Sequence, residues 1–473
     1  MKVTPSGTPD AELGAPPVAP PVPNPRTERI LHGPILSTLL RLAAPNIVVV
    51  VAQALSSAID AFYLGRLGAP VLAGIALVFP LWTLMVTTSA GALGGGISSS
   101  VARALGAGRR LDANAVVAHA LILSTLAAFV FSIVVLVGGP LLFPAMGGSA
   151  SALEAALAYS TIVFAGAVFV WWVNAFGSLL RGAGEMLFPA IVVVSGELLH
   201  IVLAPVLIFS LDLGVRGAAL SLVTSYVVRA LVLAWYVVRG RAAIRMSSQP
   251  LGLRFRLFWD ILRIGLPASI NSLLSNLNVI AVTTLVGTTG MVSLAGYGLA
   301  ARLQFLLIPL VFGFGTALVT MVGTNVGAGR LQRARRVTWI GAGIAAVVTG
   351  SVGVVVALVP TAWLGLFTAE APVLAVGSSY LRIVAPTFAL FGLGLALYFA
   401  AQGAGRVLPA LLAGVCAFTI SVGGGWLEIH VLHADLPWLF ATIAVGLIVF
   451  GCVQALAVNS LMVSRKPAGR DRY

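Results

Sequence analysis

Residues 45–65 read Pro-Asn-Ile-Val-Val-Val-Val-Ala-Gln-Ala-Leu-Ser-Ser-Ala-Ile-Asp-Ala-Phe-Tyr-Leu-Gly and contain a single charged side chain, Asp60. The run is long enough to cross a bilayer, because a membrane-spanning helix needs roughly 20 mostly apolar residues. It begins at Pro45, and a proline inside a helix bends it, so Pro45 is a candidate hinge. Acids within membrane helices are costly and usually face a partner or a water-filled cavity. Asp60 is therefore a candidate functional residue, unless it reaches the lipid headgroups from the helix end.

The whole chain has the composition of a protein that crosses the membrane many times. Its 473 residues are 59% hydrophobic and 9% charged, with a mean hydropathy of +1.05, whereas soluble domains carry about 25% charged residues. The 28 Lys and Arg residues outnumber the 14 Asp and Glu residues. They fall in short loops between apolar runs, which is typical of membrane orientation and not of nucleic-acid binding. An all-α polytopic membrane protein is predicted, with the lipid bilayer and not nucleic acid as its partner.

Apolar stretches of spanning length recur along the chain, separated by short loops with Gly and Pro turn signals. Counting them predicts twelve transmembrane helices. The predicted spans are 35–63, 71–99, 113–139, 153–178, 187–210, 215–238, 260–287, 292–324, 336–359, 373–400, 407–432 and 437–462.

Three segments outside the spans have distinct compositions. Residues 1–33 hold eight prolines and few large apolar side chains, which predicts a disordered, Pro-rich tail. Residues 239–259 form a basic linker and residues 463–473 a basic tail. Arginines are concentrated in every second loop, so the positive-inside rule predicts that both tails and the linker are cytoplasmic.

The chain contains an internal repeat. Three short elements recur at an offset of 221 or 222 residues, namely 42–45 and 264–267, 106–109 and 327–330, and 182–184 and 403–405. The repeat divides the chain into two homologous six-helix halves, 34–238 and 260–462. Six is an even number, so the halves share one orientation and are related by an axis along the membrane normal. Transporters of this kind bind substrate between the halves, so the repeat favours a secondary transporter over a receptor or a pore.

Several motifs resemble the multidrug and toxic compound extrusion (MATE) family. They are the spacing of fifteen between Pro45 and Asp60, Leu-Gly-Ala-Gly-Arg at 105–109, Val-Gly-Thr-Asn-Val-Gly-Ala-Gly-Arg at 322–330, Leu-Arg-Gly-Ala-Gly at 180–184, and the stretch 302–309. The resemblance covers about residues 35–460 and looks closest to the DinF-like branch. It implies a V-shaped bundle of two six-helix lobes in a bacterial inner membrane. It also implies cation-coupled antiport of amphipathic, often cationic, compounds.

The resemblance assigns roles to some residues and departs at others. Asp60 matches the acid that the family uses for cation coupling, and Pro45 matches the proline where the first helix bends. In the fifth span, His200 and Ala204 stand where DinF-like members have Asn and Asp. Ser275 stands where the NorM-like branch has a coupling glutamate. The coupling ion is therefore left open between H⁺ and Na⁺, with H⁺ favoured, and neither a cofactor nor a metal site is expected.

Glu197 and His200 are the other ionisable candidates in the first half. They are three residues apart, hence on one helical face. Together they could replace the missing aspartate, because a glutamate can carry a proton and a histidine titrates near neutrality. The alternative is that they hydrogen-bond each other and Asn174 and hold the lobe together.

Polar residues within the spans are candidates to line a substrate cavity. Asn271 and Asn278 are seven apart and share a helical face. Arg302 lies about ten residues into its span and needs a partner or water, so an interhelical bond and a substrate role both stay open. The full set of cavity candidates is Gln53, Asn174, Tyr226, Asn271, Asn278 and Arg302.

The expected function is export of small-molecule substrates by a monomeric, cation-coupled antiporter. The first alternative is a lipid-linked oligosaccharide flippase, which would need a more basic cavity than the mixed intramembrane charges indicate. An enzyme is not expected, because no His-Glu-x-x-His motif occurs and no Gly-x-Ser-x-Gly element follows a predicted strand. A channel is disfavoured because nothing resembles a selectivity filter.

Overall fold

The computed structural model describes residues 25–147, 150–245 and 252–463, and these are helical almost throughout. In the part of the first half that is described, nine α-helices follow one another. They are α1 (Pro25–His32), α2 (Ile35–Gly65), α3 (Ala69–Val86), α4 (Gly94–Gly106), α5 (Arg110–Ala145), α6 (Ala150–Ala165), α7 (Ala167–Gly182), α8 (Leu187–Pro205) and α9 (Gly214–Val238).

The second half repeats the helical pattern of the first. Helix α3 of the first half corresponds to α11 of the second, and a glycine precedes each of them. Gly68 and Gly290 have φ angles of 108° and 124°, a conformation that favours glycine. The helices are α10 (Phe255–Gly287), α11 (Met291–Gly327), α12 (Leu331–Leu358), α13 (Pro360–Leu364), α14 (Ala371–Val384), α15 (Phe388–Ala404), α16 (Leu408–Phe418), α17 (Gly425–His430) and α18 (Leu436–Val463). Short π-helical or 3₁₀ segments join some of them, at Thr87–Leu93, Val206–Ser210, Ala385–Thr387 and Thr419–Gly424.

The described residues hold eleven candidate membrane spans, or the predicted twelve when one bent pair of helices is taken as a span. Among the described residues, eleven continuous helical segments are long and apolar enough to cross a bilayer. Helices α6 and α7 together make a further span, which bends by 48° at Gly166. Helix α2 continues through Pro45 without a break. The hinge role of Pro45 therefore stays a prediction.

The prediction of a disordered tail over residues 1–33 is wrong for its last part, because residues 25–32 form helix α1. Two apolar side chains, Ile30 and Leu31, are buried against the bundle, and this burial offsets the weak tendency of an eight-residue segment to form a helix. The linker prediction also ends too late, since α10 begins at Phe255. Residues 1–24, 246–251 and 464–473 of the predicted tails and linker lie outside the described residues.

The two halves contact each other through matching pairs of backbone segments. A side chain at Gly106 would overlap the carbonyl of Thr324, and one at Gly327 would overlap the carbonyl of Arg103. Gly327 follows Gly106 by 221 residues, and Thr324 follows Arg103 by the same number. Each contact is therefore the copy of the other under the repeat, as a two-fold relation between the halves requires.

A second matched pair of contacts consists of hydrogen bonds. Ser99 donates to the carbonyl of Gln402 at 2.5 Å, and Thr320 donates to the carbonyl of Arg181 at 2.8 Å. These residues are again 221 apart, Ser99 from Thr320 and Arg181 from Gln402. All of them lie near the basic loops that follow α4, α7, α11 and α15. The lobes are thus joined at the basic-loop end of the bundle.

Helix α1 lies across this same end and binds both halves. Arg26 forms a salt bridge with Glu185, between α7 and α8, at 2.6 Å. From the second half, Arg330 donates to the carbonyl of Leu31 at 3.0 Å, and Arg333 donates to that of Ile30 at 3.3 Å. The eight residues of α1 therefore add a second connection between the lobes.

Replacing Gly106 by alanine is expected to weaken the closure of the basic-loop end. The added methyl group would meet the Thr324 carbonyl, and overpacking of this kind costs about 1–3 kcal/mol. The midpoint of thermal unfolding in detergent should fall. Gly343→Ala is the matched control, since Gly343 lies in α12 with nothing within 4 Å of an added Cβ. Equal midpoints for the two variants would contradict the close contact.

Candidate functional site

Asp60 on α2 and His200 on α8 form a side-chain pair inside the first lobe. The distance between Asp60 Oδ2 and His200 Nε2 is 2.9 Å. The histidine side chain is 2% exposed and the aspartate side chain 31%, so that the pair is reached from the aspartate side. An acid and an imidazole in direct contact can hold or release a proton while remaining hydrogen-bonded.

A third helix completes the surroundings of His200. Ser221 on α9 lies with its Oγ 3.0 Å from His200 Nδ1, and the same hydroxyl donates to the carbonyl of Ala218 at 2.8 Å. Ala204, at the position where the resemblance leads one to expect an aspartate, is fully buried near Ala218. The acidic partner of His200 therefore comes from α2 and not from its own helix.

Glu197 lies one turn before His200 but has a different partner. Its Oε1 accepts a hydrogen bond from the Arg229 guanidinium at 3.0 Å, and both side chains are buried. Arg229 also donates to Ser225 Oγ at 3.1 Å. The structure thus resolves the predicted Glu197–His200 unit into two pairs, Glu197 with Arg229 and His200 with Asp60.

Two of these residues were missed by sequence reasoning. Arg229 lies in the middle of an apolar span, and an intramembrane arginine is itself a signal that a partner acid is near. Ser221 carries no such signal, because serines are frequent in the spans of this chain. Only the position of α9 beside α8 reveals the role of Ser221.

The remaining candidates of the first half are held by local contacts or are open to solvent or lipid. Asn174 donates to Ser89 Oγ at 2.8 Å and so ties α7 to the π-helical segment of the second span. The ring of Tyr226 lies under the Arg229 guanidinium at 4.5 Å and makes an edge contact with Trp82. Gln53 is exposed on α2.

The candidates of the second half lie in separate places. Asn271 is buried and lies close to the Tyr398 hydroxyl. The Tyr398 hydroxyl accepts a hydrogen bond from Gln402 Nε2 at 2.9 Å, and Gln402 also donates to the carbonyl of Gly91 in the first half at 3.2 Å. Asn271 therefore lies beside a hydrogen-bond chain, formed by Tyr398 and Gln402, that crosses between the lobes.

Asn278 and Arg302 are not brought together with that chain. The Oδ1 atom of Asn278 is buried with no hydrogen-bond partner among the described residues. Arg302 is exposed in a surface cavity of about 420 Å³, which Thr368 and Glu370 also line. No group of three or more His, Cys, Asp or Glu side chains that could hold a metal is found in the described residues.

Two repeated bundles of membrane helices that join at one end define a membrane transporter with two pseudo-symmetric lobes. The family model described as MatE matches residues 45–206 and 267–427, once in each lobe. The chain belongs to this family, the MATE family that its motifs resemble. The predicted all-α fold is confirmed with it, since the described residues are helical almost throughout, hold eleven or twelve candidate membrane spans, and superpose on solved MATE structures.

Relatives of known name support the same class. The chain is 25% identical to the probable multidrug resistance protein YoeA of Bacillus subtilis over 423 residues, which are 87% of this chain and 89% of YoeA. It is 23% identical to the FAD transporter of Shewanella oneidensis over 396 residues, 83% of this chain and 87% of that protein.

Solved structures superpose over nearly the whole chain. A MOP superfamily transporter from Pyrococcus furiosus, for which a reverse polarity of the binding pocket suggests a different function, matches with a TM-score of 0.86. It is 26% identical, and the match covers 93% of this chain and 98% of the other. A MATE transporter in complex with MaD3S matches with a TM-score of 0.85 at 26% identity, over 93% and 99% of the two chains.

Proposed function

We propose that this protein is a proton-coupled antiporter that exports amphipathic or cationic small molecules by alternating access. The observation that carries the proposal is the 2.9 Å contact of Asp60 with His200 within a membrane-spanning lobe. The names of relatives such as YoeA and the multidrug export protein MepA of Staphylococcus aureus support the substrate class.

Competition between a proton and a cationic substrate for the Asp60–His200 pair would couple the two fluxes. After losing a proton the pair carries a net negative charge, which attracts a cation into the cavity. After gaining a proton the pair is neutral, and its transfer into a closed, poorly hydrated bundle costs much less. The protonated lobe can then repack, with Pro45 as the proposed hinge of α2.

The position of the interlobe contacts supports an assignment of the conformation. The contacts of Ser99 and Thr320 lie at the basic-loop end, which the positive-inside rule places in the cytoplasm. We infer that the structure is closed on the cytoplasmic side. Because the termini lie on the same side as the basic loops, we also propose that both are cytoplasmic in a bacterial inner membrane. The protein is proposed to act as a monomer, because each chain carries both lobes of the cavity.

A second candidate function is the export of anionic compounds. It is supported by the relative named FAD transporter. A flippase for lipid-linked oligosaccharides, the alternative raised by the sequence, would also carry an anionic substrate. The partly exposed acid Asp60 favours the cationic class, because a carboxylate repels phosphate groups.

Proteoliposomes containing the purified protein would test the proposal. Accumulation of tetraphenylphosphonium or ethidium should follow an imposed pH gradient and should be insensitive to a sodium gradient. Accumulation that follows sodium alone would replace H⁺ by Na⁺ as the coupling ion. Transport of FAD without transport of either cation would overturn the substrate class and favour the second candidate.

A further inference from the structure

The two ring nitrogens of His200 have different partners, so the protonation of each nitrogen depends on its own contact. Ser221 Oγ is 3.0 Å from Nδ1 and 2.8 Å from the Ala218 carbonyl oxygen, so its single proton can point to either atom. A hydroxyl that has used its proton can only accept a further hydrogen bond. When the Ser221 proton points to the Ala218 carbonyl, Nδ1 of His200 must therefore carry a proton and donate it to Ser221.

The other ring nitrogen needs a proton as well. Nε2 of His200 and Oδ2 of Asp60 are 2.9 Å apart, a hydrogen-bond distance. A bare carboxylate facing a nitrogen lone pair would be repelled, so one proton lies between the two atoms. With the proton on Nδ1, the pair holds two protons in total. It is electrically neutral, whether Asp60 is protonated or His200 is the imidazolium.

We propose that the Ser221 hydroxyl is the positioning group that sets how many protons the Asp60–His200 pair holds, an inference that rests on the proposed coupling function. If the hydroxyl turns from Ala218 to donate to Nδ1, the ring keeps a single proton on Nε2, hydrogen-bonded to the Asp60 carboxylate. The pair then has a net charge of −1. Ala218 keeps its ordinary helical hydrogen bond.

The exchange balances without any redox partner. One proton leaves the pair for water, with Asp60 as the exit because its side chain is 31% exposed while His200 is enclosed. The remaining proton occupies Nε2, and the Ser221 proton moves its hydrogen bond from the Ala218 oxygen to Nδ1. The neutral two-proton form suits a closed lobe, and the negative one-proton form suits a bound monovalent cation.

Other charged or titratable groups lie near the pair on neighbouring helices and on α8 itself. Tyr159 on α6 interacts electrostatically with Asp60. Glu197 on α8 and Arg229 on α9 form their own buried salt bridge, so that their charges largely cancel at His200. Ser221 is thus the group in direct contact with Nδ1 that can switch between acceptor and donor.

The test measures protons released when tetraphenylphosphonium binds to the purified protein in a weakly buffered detergent solution, over a range of pH. The wild type should release about one proton per bound cation, by linkage. In Ser221→Ala the buried Nδ1 proton of the two-proton form loses its acceptor, and a buried donor without a partner costs more free energy than the loss of an ordinary neutral hydrogen bond by the one-proton form. The pH of half-maximal release should therefore move about one unit toward acid.

Ser225→Ala is the matched control, because Ser225 lies one turn further along α9 and contacts Arg229 instead of His200. Its midpoint should coincide with that of the wild type. A wild-type midpoint in Ser221→Ala, or equal shifts in both variants, would overturn the role of Ser221 alone. Absence of proton release from the wild type would instead overturn proton coupling itself, so the two failures are distinguishable.

Discussion

Replacing Asp60 by asparagine is expected to abolish transport driven by a pH gradient while the protein still folds. Asparagine has the size of aspartate and can still hydrogen-bond His200, but it cannot take up or release a proton. Positioned proton-transfer groups contribute factors of about 10²–10⁴, so the initial rate of tetraphenylphosphonium accumulation should fall by at least about 100-fold. Proteoliposomes with an imposed pH gradient provide the measurement.

Asp212→Asn is the matched control for this variant. Asp212 is exposed in the loop before α9, with a φ angle of 52° that asparagine also tolerates. Its transport rate should equal that of the wild type. Full proton-driven transport in Asp60→Asn would rule out Asp60 as the coupling group.

Replacing Arg229 by methionine is expected to have the largest effect on stability. The change leaves Glu197 as an uncompensated buried charge, and breaking a buried ion pair in this way costs about 3–5 kcal/mol. It also removes the guanidinium that packs over Tyr226 and against Gly196. The midpoint of thermal unfolding in detergent and the yield of folded protein should both drop.

The double variant Glu197→Leu with Arg229→Met separates structure from transport. An apolar pair of similar volume can replace a buried ion pair at little cost, so stability should largely return. Because the proposed coupling pair is Asp60 with His200, proton-driven transport should return with it. Recovery of stability without transport would give Glu197 a coupling role after all. Arg216→Met, at an exposed position of α9, is the control for loss of an arginine.

The sequence predicts which residues share a helix face but not which helix that face meets. Glu197 and His200 are three residues apart, and spacing alone leads to the expectation that they act as one unit. Their side chains nevertheless reach Arg229 on α9 and Asp60 on α2. Those partners are 32 and 140 residues away along the chain, and only the packing of the helices brings them together.

The spans and the repeat could be predicted because each leaves a local mark. A bilayer requires about 20 apolar residues in a row, and the duplicated Gly-Ala-Gly-Arg elements at 106–109 and 327–330 stand at a constant offset. Helix α1 leaves no such mark. It is too short to be helical alone and depends on the burial of Ile30 and Leu31 in the assembled bundle.

The strap formed by α1 is attached to the second lobe through main-chain atoms. Arg330 and Arg333 bind the carbonyls of Leu31 and Ile30, and every residue has a carbonyl. A substitution within α1 therefore cannot delete these acceptors, whereas an insertion or deletion before α2 would displace them. Two transporters could both have such a helix at this position without sharing a single identical residue in it. A comparison of their aligned sequences would then not reveal the shared contact.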